Sequence, residues 1–91
     1  MRRKMTLNVG RDYFFRVDTR SLKSSNSKFN RKDPTSHLNE WEIVFIIPPR
    51  ERQSDYWREH PINRGKIVRA HVSSAYLLEG GRIGYNAVLI E

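Results

Sequence analysis

The run Trp41-Glu42-Ile43-Val44-Phe45-Ile46-Ile47 is apolar on both alternating faces except at Glu42, and Pro48-Pro49 follows it at once. A strand with one solvated face would alternate apolar with polar side chains, so a run apolar on both faces suits a central strand covered from two sides. Proline has no N–H to give to a ladder, and the pair ends the strand there. The rest of the chain has to supply neighbours for such a strand, and strand signals do dominate it. Met5, Leu7 and Val9 alternate with Thr6 and Asn8; Gly10-Arg11-Asp12 carries turn chemistry; Tyr13, Phe15 and Val17 then alternate with Phe14, Arg16 and Asp18. These spacings predict two short antiparallel strands.

Gly80-Gly81 in LLEGGRIGY reads as a two-residue loop, since glycine adopts the positive φ of a tight hairpin turn without strain. Setting Glu79 opposite Arg82 places Leu78 against Ile83, Tyr76 against Tyr85, Ser74 against Ala87 and Val72 against Leu89, which gathers apolar residues on one face. Between Pro49 and Pro61, RERQSDYWREH has Tyr56 and Trp57 as its large apolar residues, with Ser54 or Asp55 as caps, and predicts a helix of one or two turns that Pro61 stops. Trp57 is expected to plug an open end of the β structure.

The order is strand, strand, long loop, strand, short helix, strand, strand. That is a mainly β chain, a five-stranded OB-like Greek-key barrel with one short helix between strands 3 and 4. An SH3-like barrel has as many strands but places its helical turn elsewhere. A length of 91 residues holds one domain, 1–91, because fragments much below about 50 residues rarely carry a core of their own. Ser21 to Pro34, SLKSSNSKFNRKDP, is serine-rich, basic and unsuited to packing. It belongs to a long basic loop at about residues 19–37, far beyond the roughly 4–6 residues of most connections, and such loops are commonly functional.

Charge points the same way. Residues 1–32 carry ten Lys or Arg against Asp12 and Asp18, a net +8, while residues 33–91 carry seven against eight, a net −1. A field of one sign on one part of a fold gathers a polyanion. With no cysteine, thiol chemistry, disulfides and zinc–thiolate sites are excluded. No apolar run approaches the roughly 18–20 residues of a membrane span, and MRRKMTLN lacks the apolar core of a signal peptide, so a soluble cytoplasmic protein of a bacterium or infected host cell is expected.

The run NEWEIVFII from Asn39, followed by NRGKIVRAHV and a closing hairpin, resembles bacterial single-stranded-DNA-binding proteins, in which a Glu-Trp pair opens the third strand and a Lys-Gly turn precedes the fourth. TRSLKSS, SHLNEW and AHVSSAYLLEGG are also similar to the small helix-destabilising proteins of filamentous phages. The resemblance implies a base-stacking role for Trp41, where the bacterial family has its stacking tryptophan, and for Tyr76, in the hairpin region where both families place an aromatic. It also puts Phe29 in the loop where a stacking residue is expected.

A positively charged groove tracks a backbone while aromatic rings accept unstacked bases, at roughly 1–3 kcal/mol per base. The expected function is therefore non-catalytic binding of single-stranded nucleic acid, DNA favoured over RNA, in support of replication, recombination or strand protection. The expected binding residues are Arg16, Arg20, Lys23, Lys28, Phe29, Arg31, Lys32, Trp41, Arg69, Tyr76, Arg82 and Tyr85. Phe14, Phe15 and Phe45 are expected to pack, and Trp41 suits core and platform equally. His37, His60 and His71 have no metal-site spacing, and no cofactor, metal, membrane or small-molecule substrate is expected. Two alternatives stand beside this reading: a phage- or plasmid-borne protein-binding inhibitor or adaptor, and a small basic ribonuclease assembled from Glu59, His60, Arg69 and His71. The edges of a small open barrel invite self-pairing, so a homodimer is expected.

Overall fold

The computed structural model describes residues 5–17, 38, 40–49, 56–62 and 64–90; the basic loop at about 19–37 lies outside them. The chain is mainly β, with one sheet curled into a half-barrel. Its strands are β1 (Asp12–Arg16), β2 (Glu42–Ile47), β3 (Ile67–Leu77) and β4 (Ile83–Leu89), and a one-turn helix α1 (Tyr56–Glu59) lies between β2 and β3. The sheet order is β1-β3-β4-β2, with β1–β3 and β3–β4 antiparallel and β2–β4 parallel.

Alternation along these strands sorts the two faces. Phe15, Val44, Ile46, Ala70, Val72, Ile83, Tyr85 and Ala87 meet in one buried cluster on the inner face, joined by Leu7 and Leu38. The central strand expected at 41–47 is present, and its other face is buried too, at Ile43 and Phe45. The one-turn helix falls where the proline bracket predicts it. Trp57 packs against the core cluster, and the buried Tyr56 ring stacks on His60 at 4.2 Å and meets Trp57 edge-on at 4.9 Å.

Two expectations fail. Met5–Val9 is not a strand: the segment bends and turns, burying Leu7 in the core cluster while Met5 and Val9 stay exposed. Polar groups fix its course instead. Thr6 donates from its N–H (2.8 Å) and its hydroxyl (2.6 Å) to the Glu42 carboxylate, and the Asn8 N–H donates to the Tyr13 hydroxyl at 2.9 Å. With this segment outside the sheet, the described residues hold four strands instead of five, and β1 pairs with β3 instead of with residues 5–9.

The hairpin register also differs. Leu78 N–H donates to Arg82 C=O, so the loop has three residues, Glu79–Gly81, turned by positive φ at Gly80 (80°) and Gly81 (78°). One added loop residue shifts the pairing by one, giving Tyr76↔Gly84 and Ala75↔Tyr85, and a bulge between Val72 and Ser74 shifts it again, giving Val72↔Ala87. Because side chains alternate with period two, Tyr76 and Tyr85 end on opposite faces of the sheet.

Candidate nucleic-acid interface

Glu42, the exception in the apolar run, is fully buried. Besides both Thr6 donors it accepts a hydrogen bond from the Tyr85 hydroxyl, so its side chain ties the N-terminal segment, β2 and β4 together. Burial, reinforced by this carboxylate, pushes the Tyr85 hydroxyl well above its ordinary pKa. The assignment of Tyr85 to base stacking is thereby corrected. Its ring is a core residue with 0% exposure and presents no face to a ligand.

The outer face of β1 and β3 is organised differently. Phe15 and Tyr13 turn inward, so Asp12, Phe14 and Arg16 point outward, and the register sets them against His71, Arg69 and Ile67 in turn. Phe14 is 59% exposed, and it corrects the expectation that it packs. Phe14 thus stands opposite Arg69 across the ladder and two residues from Arg16 along its own strand, an aromatic side chain with cations at neighbouring positions of the same face. The signal was in the sequence: if Tyr13, Phe15 and Val17 are core, parity sends Phe14 to the side of Arg16.

Asp12 organises the polar half of this surface. Arg69 donates from its guanidinium to Asp12 Oδ2 at 3.0 Å, and His71 donates from Nδ1 to Asp12 Oδ1 at 2.6 Å. The His71 hydrogen bond, with the charge of Arg69, holds the Asp12 carboxyl below the usual carboxylate range.

The other expected residues lie towards the hairpin. Tyr76 shares the outer face; it is half-buried, with its ring parallel to Phe45 at a centroid distance of 6.3 Å and its hydroxyl donating to Asn86 Oδ1 at 3.0 Å. Gly84 makes room for it, since a Cβ there would lie 2.8 Å from the Tyr76 ring. Burial raises the Tyr76 hydroxyl pKa. Trp41 is 37% exposed at the entry to β2, held beside the Arg82–Ile83 segment by the bond from Ile83 N–H to Trp41 C=O at 2.8 Å.

The structure thus brings Arg16 and Arg69 together around Phe14. Tyr76 lies seven residues further along β3, about 23 Å at roughly 3.3 Å per residue. Trp41 and Arg82 lie beside the start of β4. Arg20, Lys23, Lys28, Phe29, Arg31 and Lys32 fall outside the described residues. Comparison with models of known protein families, with curated proteins and with solved structures finds no match to this chain.

Proposed function

We propose that the protein binds single-stranded nucleic acid without cleaving it, on the outer face of a five-stranded OB-like Greek-key barrel. The observation that carries this reading is the outward-facing Phe14, 59% exposed, on the same sheet face as Arg16 and Arg69. Bases stack on such rings without a sequence requirement, and guanidinium groups beside them take the backbone. The span of about 23 Å from Arg69 to Tyr76 suits several nucleotides, within the roughly 4–16 of one OB fold. The basic residues between Arg20 and Lys32 add charge to the same end of the chain. DNA is favoured by the resemblance of NEWEIVFII and NRGKIVRAHV to bacterial strand-covering proteins.

Strand directions support the barrel. β1 and β2 are the outermost strands of the described sheet and run the same way, since β1 is antiparallel to β3, β3 to β4, and β2 is parallel to β4. One further strand antiparallel to both would pair with each edge and close a five-stranded barrel.

Titration of fluorescent single-stranded DNA, single-stranded RNA and duplex at two salt concentrations tests the proposal. Single strands should bind more tightly than duplex, and replacing Lys23, Lys28, Arg31 and Lys32 by Ala should flatten the salt dependence by about 0.7 in log–log slope for each phosphate no longer neutralised. Equal affinity for duplex would reject the stacking mechanism.

A ribonuclease is the second reading, and one observation favours it: Asp12 fixes His71 through Nδ1, leaving Nε2 as a base next to Arg69. His60, the other imidazole of that scheme, is held on α1, stacked on Tyr56 with its Nδ1 3.2 Å from the Tyr56 carbonyl. Labelled RNA left intact after prolonged incubation rejects the enzyme; cleavage abolished by His71→Ala establishes it.

A further inference from the structure

Below the β1–β3 face, where β3 begins and β4 ends, a cleft of about 510 Å³ opens against the wall made by α1 and the turn after it. This lies within the roughly 300–1,000 Å³ of ordinary ligand sites. Its floor is aliphatic. Ile67 and Ile90, 51% and 37% exposed, sit on neighbouring strand ends tied by the bond from Ile90 N–H to Arg69 C=O at 3.0 Å, and Leu89 lies beside them. Two cations also line the cleft, Lys66 and Arg69. Arg69 already meets Asp12, whereas Lys66 has no ion pair among the described residues.

We propose that this cleft binds a protein partner through an acidic peptide segment that inserts an aliphatic side chain between Ile67 and Ile90 and sets a neighbouring carboxylate against Lys66 and Arg69. Charge complementarity chooses the partner: exposed aliphatic surface excludes water from an apolar side chain, and cations at its border orient an anion beside it. A nucleobase fits less well. Stacking needs a free aromatic face, and of the two rings that line this cleft Tyr56 is buried and the His60 imidazole has one face taken by Tyr56, while the rest of the floor is aliphatic. The proposal goes beyond strand binding and does not depend on it.

The test uses the full chain and a fluorescein-labelled peptide of alternating aspartate and leucine, with aspartate–serine and lysine–leucine peptides as controls. The aspartate–leucine peptide should bind at least about tenfold more tightly than either control, and Ile90→Ser and Lys66→Glu should each weaken it by about tenfold. Ile90→Ser should leave oligonucleotide affinity unchanged, which separates this site from the Phe14 surface. Methyl NMR of the unmodified protein gives a measurement independent of any variant: the peptide should shift Ile67 and Ile90 signals saturably. Equal binding of the control peptides, unaltered affinity of both variants, or peptide shifts confined to residues away from the cleft would overturn the proposal. So would displacement of Ile67 and Ile90 signals by oligothymidylate and not by the peptide, which would make the cleft part of the nucleic-acid site.

Discussion

Glu42 and Asp12 each accept hydrogen bonds from residues remote in sequence, Glu42 from Thr6 and Tyr85, Asp12 from Arg69 and His71. Glu42 does so at 0% exposure, and Asp12 does so on the solvated outer face. The chemistry is alike and the dielectric is not. Inside, an abandoned donor has no water to turn to, so the Glu42 cluster locks the fold. Outside, water and phosphate both compete for the donors, so the Asp12 cluster adds little to stability and sets the availability of two basic side chains for a ligand.

Glu42→Ala breaks the comparison most severely. It leaves the Tyr85 hydroxyl buried without this acceptor and frees Thr6, and should cost about 3–4 kcal/mol in urea unfolding, the sum of a lost charge-assisted bond and a stranded donor. If the loss were under about 1 kcal/mol, the range of a surface pair, the two clusters would be equivalent and the lock refuted. Tyr85→Phe removes the donor and keeps the ring, and should cost about 1.5–2 kcal/mol. Neither substitution should alter the salt dependence of oligonucleotide binding by the folded protein.

Phe14→Ala sharpens the contrast from the other side. Phe14 is mostly exposed, so stability should change by less than about 1 kcal/mol, far less than for Glu42→Ala. Single-strand affinity should fall by about 1–3 kcal/mol while weak duplex binding is barely affected. A large loss of stability with unchanged single-strand preference would return Phe14 to the packing role expected of aromatic residues in general.

The same contrast explains what could be read from the chain in advance. The central strand at 42–47, the helix bracketed by prolines and the Gly80-Gly81 hairpin each rest on interactions between near neighbours or on strong backbone constraints, and all three are present. The hairpin register was not legible, because Gly-Gly suits a three-residue loop as well as a two-residue one, and nothing local marks a bulge at Ser73. That slip of one residue placed Tyr76 on the inner face with Tyr85, whereas the structure sets it on the outer one. At Met5–Val9 the alternation was misleading: Leu7 alone of the three apolar residues is buried in the core cluster, and Thr6 directs its hydrogen bonds to a carboxylate 36 residues away instead of to a neighbouring strand. Phe14 was legible by parity and was overruled by the general tendency of aromatics to pack. Asp12 and His71 meet only because of the β1–β3 register, which no local pattern reveals.

Asp12→Asn is the smallest expected effect and the finest discriminator. In the wild type the carboxylate holds Arg69 and His71, and a phosphate arriving at this face must displace it or share its donors. Neutralising Asp12 should therefore tighten oligonucleotide binding and steepen the log–log salt slope, by about 0.7 for each additional phosphate neutralised. The pH dependence has a definite sign. The folded-state pKa of Asp12 is depressed, so the stability it contributes is present above its unfolded value near 3.8 and is lost only as the pH falls through the lower folded value. Wild type and Asp12→Asn should accordingly still differ in urea unfolding at about pH 5, and converge only below 3.8 as the wild-type carboxyl takes up its proton. Convergence well above that value would mean that Asp12 is not held by His71 and Arg69 in solution. An unchanged salt slope in the variant would mean that these two side chains, though close to Phe14, do not meet the phosphate backbone.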